Sequence, residues 1–238
     1  MLPEAVRAMP WRRPIIGPVT HPLWPLYDLR LRTDRLELRL PDEDEIVELC
    51  RVARTGIHPP GEMPFGVAWS VKPSPRFERE FIQYHWLTRG SWTADAWTLD
   101  LAVLLDGRPI GQQGLMATEF AVMRTASTGS WLGSPYQGRG IGKEMRGAVL
   151  ALAFDGLGAE VAESNAFLDN LASSGVSRAL GYSSNGFGRL APEGVARETE
   201  RFRMTREAWA ATLRPAVAIE GLDGCLDLFG AAAASPTS

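Results

Sequence analysis

The residues with the clearest chemical potential form a glycine-rich segment from Gln137 to Lys143, with the sequence QGRGIGK. Its three alternate glycines allow the backbone to turn tightly and to approach a ligand closely. Apolar residues at helical spacing follow the segment, so the free N–H groups and the positive dipole end of a helix would face it. Arg139 and Lys143 add positive charge. The segment predicts a diphosphate site, and the alternative is a plain turn from a strand to a helix.

Two other phosphate-binding motifs do not fit this spacing. A Walker A loop requires a glycine where the chain has Gln137 and a hydroxyl where it has Glu144. A Rossmann loop requires its third glycine at the position of Lys143. Both nucleotide-binding motifs are therefore excluded for this segment.

The elements that must position the loop mix strands, helices and hairpins. Asp106-Gly107 between two apolar runs is a strong hairpin signal. Asp42 with Glu45 three positions later is the start of a capped helix. The pattern predicts one domain of the α+β, or mixed α/β, class. Strands are predicted at residues 28–40, 96–105, 109–116, 125–133, 159–167, 182–189 and 198–204, and helices at residues 42–54, 74–88, 140–156 and 169–179.

Composition narrows the class of protein. The net charge of −3 and the pI near 5.7 argue against a nucleic-acid-coating protein. No apolar run approaches the roughly 18 residues that cross a bilayer, and the first residues lack an apolar signal core. Two distant cysteines and three scattered histidines match no metal motif. We expect a cytoplasmic protein without a metal.

Two terminal segments flank the predicted domain of residues 28–212. Residues 1–27 form a proline-rich arm and residues 213–238 a C-terminal extension. Both hold large apolar side chains that such short segments cannot bury by themselves. We therefore predict a homo-oligomer, most simply a two-fold dimer, with packing on the same subunit as the alternative. The apolar residues are Trp11, Trp24, Leu222, Leu226, Leu228 and Phe229.

Several motifs together resemble the GNAT acyl-CoA-dependent N-acyltransferases. Gln137, Gly140 and Gly142 match the Q/R-x-x-G-x-G/A pyrophosphate loop of that family. Asn170-x-x-Ser173, followed by Leu-Gly-Tyr at residues 180–182, is similar to its N-x-x-S…LGF/Y motif. The segments LRTDRLELRLPDEDE and SWLGSPYQGRGIG resemble the family's opening strand and its fourth strand. Over residues 30–209 the chain resembles the branch of the RimJ/RimL-like ribosomal-protein N-terminal acetyltransferases.

This resemblance implies a fold and a site for the co-substrate. The fold is a twisted mixed sheet of six or seven strands with about four helices, and acyl-CoA lies between two splayed strands, residues 125–133 and 159–167. Backbone groups at Leu132 and Gly133 would pair with pantetheine and polarise the thioester carbonyl. Asn170 would bond the pantetheine arm, or else cap a helix. The N–H groups that would hold the diphosphate belong to Gln137, Gly138, Arg139, Gly140, Ile141, Gly142 and Lys143.

The resemblance also implies catalytic groups. Ser173 is the candidate acid for the thiolate, and its alternative is a hydroxyl bonded to its own backbone. No motif assigns the base. Glu119, at the end of the third strand, and Glu163, inside a core strand where a carboxylate is costly unless solvated or paired, are the candidates. The alternatives are that both are solvated at an exposed edge, or that water relays the proton. The apolar loop at residues 56–75 would border the acceptor, or else cover a subsidiary core. Its candidate residues are His58, Met63, Phe65 and Trp69.

The implied function is transfer of an acyl group, acetyl in the first instance, from acyl-CoA to a primary amine. Direct attack in a ternary complex is expected. The acceptor is a protein N-terminus or a small molecule. Two alternatives stay open: a succinyl or longer acyl donor, and a catalytically silent acyl-CoA-binding module.

Overall fold

A computed structural model describes residues 21–213 and 216–231 of the chain. Nine strands in this part form one mixed sheet in the order β7-β8-β6-β5-β4-β3-β2-β1-β9. The strands are β1 Arg30–Arg32, β2 Leu36–Arg39, β3 Ala96–Leu105, β4 Arg108–Thr118, β5 Thr125–Leu132, β6 Val161–Phe167, β7 Ser183–Leu190, β8 Arg197–Thr205 and β9 Ala218–Glu220. The helices are α1 Glu43–Arg54, α2 Arg76–Gly90, α3 Phe120–Met123, α4 Ile141–Ala151, α5 Leu171–Ala179 and α6 Arg206–Ala211.

Helices cover both faces of the sheet at its centre. Successive side chains of a strand point to opposite faces, and β3 shows both environments. Leu101 and Val103 belong to the large core that also holds α4, whereas Ala102 and Leu104 belong to a smaller core with α1 and α2. Helix α5 packs beside α4. The sheet is therefore buried on both faces at its centre.

The centre of the sheet opens where its two parallel strands separate. β5 and β6 pair only from Thr125 to Ser127, opposite Val161 to Glu163. Beyond that point β5 follows β4, and β6 follows β8. The two strands thus diverge after Ser127 and Glu163, and we call the space between them the cleft.

One predicted strand is in fact a hairpin. Residues 28–40 alternate as a strand does, yet they fold into β1 and β2, which pair antiparallel with Arg32 opposite Glu37. The Thr33 N–H donates to the Leu36 carbonyl and the Leu36 N–H to the Thr33 hydroxyl, which closes the turn. Splitting this segment and adding β9 raise the strand number from the six or seven expected to nine. The α+β class and the separation of two parallel strands are confirmed, whereas six helices stand in the described residues where about four were expected, because α3 and α6 are additional short ones.

The C-terminal extension completes the same subunit. β9 pairs with β1, and Cys225 and Phe229 are fully buried in the large core. The indole N–H of Trp97 donates to the Phe229 carbonyl at 3.2 Å, and that of Trp92 donates to the Leu228 carbonyl at 2.8 Å. The extension therefore gives no argument for a dimer.

The described end of the N-terminal arm also packs on its own subunit. Trp24 lies edge-on to Trp92, with ring centroids 6.0 Å apart. Leu26 is fully buried in the large core. Trp11 lies outside the described residues, and the homo-oligomer stays a prediction.

We predict that Phe229→Ala lowers the free energy of unfolding by about 3–5 kcal/mol, because it empties a fully buried aromatic site. Urea denaturation measures the change. Leu213→Ala, at a fully exposed position nearby in the sequence, is the control and should stay within about 0.5 kcal/mol of the parent. Equal stability of both variants would show that the extension does not dock as described.

Candidate active site

The glycine-rich segment forms the mouth of the cleft. Gly138 and Gly140 have φ angles of +69° and +77°, a left-handed conformation that favours glycine. Gly140 is the N-cap of α4, and the first bond of the helix runs from the Glu144 N–H to the Gly140 carbonyl. The N–H groups of Ile141, Gly142 and Lys143 therefore have no acceptor within the helix. Their arrangement suits anionic oxygens.

Gln137 anchors this loop and differs from the expectation that its N–H holds phosphate. That N–H already donates to the Ser134 carbonyl at 3.2 Å. The side-chain amide donates to the carbonyls of Ile57 and Leu132, both at 2.8 Å. Gln137 thus ties the mouth of the cleft to the end of β5 and to the loop that follows α1.

Glu144, on the first turn of α4, also holds the glycine-rich loop in place. Its carboxylate accepts hydrogen bonds from the Thr33 hydroxyl at 2.5 Å and from Arg35 Nε at 2.7 Å. Arg35 also donates to the Arg139 carbonyl. Burial raises the pKa of Glu144, but the bonds from Thr33 and Arg35 together with the charge of Arg35 hold it below its ordinary value. The β1–β2 turn therefore fixes the loop, which sequence patterns did not predict.

The backbone of β5 shows which of its groups face the cleft. The Gly133 N–H donates to the Ile110 carbonyl at 2.9 Å, so it belongs to the ladder with β4. Because an antiparallel ladder alternates, the backbone groups of Thr128, Ser130 and Leu132 point away from β4. The expectation that Gly133 polarises a thioester is corrected, since its N–H is already used. The N–H groups of Ser130 and Leu132 remain for that role.

Helix α5 forms the opposite wall of the cleft. The Asn170 side-chain oxygen accepts the Ser173 N–H at 3.0 Å, so Asn170 caps the helix and keeps only its NH₂ for a ligand. The Ser174 hydroxyl donates to the carbonyls of Asn170 and Leu171. The Ser173 hydroxyl makes no hydrogen bond to any residue in the described part of the chain. Of the two serines, Ser173 is the one that can serve a substrate.

The two candidate bases differ in their position relative to the fork of the cleft. Glu163 is the last residue of β6 that pairs with β5, so it lies at the fork of the cleft, half-buried. Within residues 21–213 and 216–231 it forms no salt bridge. Glu119 lies before Thr125, where β5 and β6 are still paired. Thr125, the first residue of β5, is itself five residues, or roughly 16 Å of strand, from Ser130 in the open part.

The loop at residues 56–75 packs mainly on protein. His58 Nε2 lies 2.8 Å from the Ser70 hydroxyl and Nδ1 lies 3.0 Å from the Pro59 carbonyl, so both ring nitrogens are engaged within the loop. Phe65 and Trp69 pack against the smaller core, and the Trp69 and Trp131 ring centroids are 5.8 Å apart. The loop therefore covers a subsidiary core, and Trp131 connects that core to β5.

Arg197, which no sequence pattern indicated, fastens the other side of this loop. Arg197 on β8 donates to the carbonyl of the buried Met63 and binds both carboxylate oxygens of Asp169 at 2.7 Å. Its guanidinium also stacks 4.0 Å from the centroid of the Phe167 ring. With the bond from Gln137 to Ile57, the loop is thus fastened to both sides of the cleft.

Comparisons with known proteins agree with this geometry. Residues 35–183 match the family model described as Acetyltransferase (GNAT) domain. Mycobacterium smegmatis RimJ, solved with a CoA disulfide, superposes with a TM-score of 0.60 at 19% identity over 80% of this chain and 92% of its own. A GCN5-related N-acetyltransferase from Brucella melitensis gives 0.61 at 21% over 76% and 80%. RimL, a ribosomal alpha-N-protein acetyltransferase solved with coenzyme A, gives 0.58 at 17% over 74% and 97%.

The solved structures support the fold, and the family model supports the family. The matched residues span more than half of the chain and include both β5 and the glycine-rich loop. None of the helices in the described ranges is both long and apolar enough to cross a membrane. The chain belongs to the GNAT family of acetyltransferases, and it is an acyl-CoA-dependent N-acyltransferase.

Proposed function

We propose that this protein transfers an acetyl group from acetyl-CoA to a primary amine by direct attack in a ternary complex. The observation that carries the proposal is the cleft itself. It has a phosphate-binding loop at its mouth, unpaired backbone donors along β5, and a free hydroxyl on the facing helix. A module that only bound acyl-CoA would need the first two features but not Ser173.

The residues of the cleft suit the parts of the co-substrate. The N–H groups from Gly138 to Lys143, with the side chains of Arg139 and Lys143, would hold the diphosphate. The pantetheine arm would extend along β5 toward the fork. The Asn170 NH₂ group would bond one of its amides. Each of these groups is polar and pre-positioned, so little reorganisation is required on binding.

The reaction requires a neutral amine, a fixed dipole and a proton donor. The amine nitrogen attacks the thioester carbonyl, and the N–H groups of Ser130 or Leu132 stabilise the oxygen that becomes negative. The excess proton of the nitrogen passes to Glu163, directly or through water. The C–S bond then breaks with its electron pair on sulfur, and the Ser173 hydroxyl donates a hydrogen bond to that sulfur.

The acceptor is proposed from the resemblance to the RimJ/RimL branch. RimL acts on a ribosomal protein N-terminus, and we extend to this chain only the chemistry of a primary amine, on a protein N-terminus or a small molecule. Succinyl-CoA is the alternative donor. Cys50 and Cys225 are both unpaired, which suits a reducing, cytoplasmic compartment. The proposed two-fold dimer has no support from the terminal segments that are described.

Release of free CoA tests the proposal. The full-length protein is mixed with acetyl-CoA or succinyl-CoA and with panels of small amines and N-terminal peptides, and mass spectrometry identifies the acylated product. We expect amine-dependent CoA release with acetyl-CoA. Tight CoA binding without turnover on any amine would instead support the silent module.

We predict that Gly140→Asp raises the Kd for CoA more than tenfold, or about 1.4 kcal/mol. The added Cβ would lie 3.7 Å from Arg35 Nη2, so a carboxylate there would add negative charge beside the loop proposed to hold the diphosphate, and aspartate is strained at the φ of +77°. Isothermal titration calorimetry measures the affinity. Gly107→Asp is a matched control, because Gly107 has a φ of +74° in the β3–β4 turn with no atom near its added Cβ. Equal affinities in the two variants would contradict the loop assignment.

We predict that Ser173→Ala lowers kcat at least tenfold and leaves the Kd for CoA unchanged, since its hydrogen bond to sulfur strengthens only as negative charge develops there in the transition state. Steady-state kinetics and calorimetry give the two quantities. Ser174→Ala is the control, because its hydroxyl bonds only the first turn of α5. Parental turnover in Ser173→Ala and in the double variant would remove serine from the mechanism.

A further inference from the structure

A positively charged side chain lies beneath the cleft with no acidic partner. Arg146 on α4 is 4% exposed. One terminal nitrogen donates to the Ser177 hydroxyl at 2.9 Å and the other lies 3.3 Å from the Ser130 hydroxyl. Nε has no hydrogen-bond partner among the residues that the structure describes. In the described part of the chain, these two hydroxyl groups are therefore the hydrogen-bond partners of the guanidinium.

Such a charge is costly for the fold. Moving a cation out of water costs several kcal/mol unless an anion compensates, and an arginine does not lose its proton in proteins. Burial lowers the pKa of Arg146, and the Tyr182 hydroxyl is the titratable group whose charge acts on it. Glu144 on α4 and Glu200 on β8 are already paired, with Arg35 and with Arg178, and among the described residues neither they nor Glu163 form a salt bridge with Arg146. An anion from outside the chain would therefore find an uncompensated charge here.

The position of Arg146 relates it to both walls of the cleft. Ser130 belongs to the part of β5 that has left β6, and its backbone faces the cleft. Ser177 lies one turn beyond Ser173 on α5, and its hydroxyl donates to the Ser173 carbonyl at 3.3 Å. One hydroxyl group separates the guanidinium from each wall. Among the atoms of the reaction, the sulfur is the one expected between these walls.

The chemistry of Ser173 leaves a charge to be stabilised. A serine hydroxyl is a weaker acid than a thiol, so complete proton transfer from Ser173 to the thiolate is uphill. Ser173 can donate a hydrogen bond, but the negative charge stays largely on sulfur. Electrostatic attraction is strong in a water-poor site, where a nearby cation lowers the free energy of that charge.

We propose that Arg146 stabilises the CoA thiolate as it leaves, acting as a positioning and electrostatic residue through Ser130 and Ser177. This inference rests on the proposed acyl transfer. The C–N bond forms and the C–S bond breaks, with the electron pair going to sulfur. The amine proton goes to Glu163 or water, and the thiolate takes a proton from solvent after release. Arg146 itself neither gains nor loses a proton.

Binding of CoA and desulfo-CoA at pH 7 and pH 9 tests this role without catalysis. A site that prefers the thiolate binds CoA more tightly as pH rises toward the pKa of the thiol, which is about 8.5 for a cysteine thiol. Desulfo-CoA lacks the sulfur and reports every other pH effect. For a tenfold preference and a thiol pKa of about 8.5, the affinity ratio of CoA to desulfo-CoA should rise about sixfold between the two pH values.

Two variants separate charge from structure. Arg146→Met should abolish the rise in that ratio and lower kcat at least tenfold, while its urea midpoint stays equal or increases, because an uncompensated buried charge is removed. Arg146→Lys should keep part of the rise. A purely structural arginine would instead lower the urea midpoint and leave the pH dependence of the ratio unchanged.

Three results would overturn the inference, and the first two leave the proposed function intact. The first is an equal pH dependence of CoA and desulfo-CoA binding in the parent protein. The second is a full rise in Arg146→Met. The third is a preference for succinyl-CoA over acetyl-CoA that Arg146→Met reverses, because the guanidinium would then hold the acyl carboxylate. Loss of all CoA binding in the parent would refute the proposed function itself.

Discussion

The separation of β5 from β6 is the constraint on which the rest of this structure depends. Two parallel strands that stop pairing leave rows of N–H and C=O groups without partners, and buried groups of this kind cost free energy. A protein can keep such a gap only if a ligand or water fills it. The separation begins at one defined position, after Ser127 and Glu163. That position fixes where backbone donors become available and therefore where a thioester can be polarised.

Holding the cleft open requires that β5 be fixed to its other neighbour. Gly111 on β4 allows this, because a Cβ there would lie 2.4 Å from the Trp131 carbonyl oxygen. The side chain of Gln137 then secures the end of β5, and the Glu144–Arg35 pair secures the loop above α4. On the opposite side of the cleft, Arg197 on β8 fixes the loop at residues 56–75 by donating to the Met63 carbonyl. Separate polar contacts thus brace a gap that hydrophobic packing alone would tend to close.

The sequence predicted the parts of this arrangement that depend on local patterns. Helix α1 with its Asp42 cap, the β3–β4 hairpin and the glycine-rich loop all follow from periodicity or turn chemistry. The use of individual hydrogen-bonding groups did not follow. Whether the Gly133 N–H faces β4 or the cleft depends on strand register, which no local pattern specifies. For the same reason the tertiary partners of Arg197 could not be read from the chain, nor could the split of residues 28–40 into a hairpin.

Three polar side chains beneath the cleft are costly for the stability of the fold but suit the proposed chemistry. Ser130, Ser177 and Arg146 occupy interior positions between β5, α4 and α5, where apolar side chains would pack more favourably. Arg146 immediately follows Met145, which is buried in the large core, so adjacent positions of one helix turn serve packing and charge. The loop at the mouth offers dipoles to the diphosphate, whose charge is constant. A full cation lies deeper, where charge on the sulfur appears only during the reaction. Fixed dipoles for a permanent anion and a buried charge for a transient one are physically distinct requirements, and the cleft meets them at two places, in the loop that follows β5 and behind Ser130 on β5 itself.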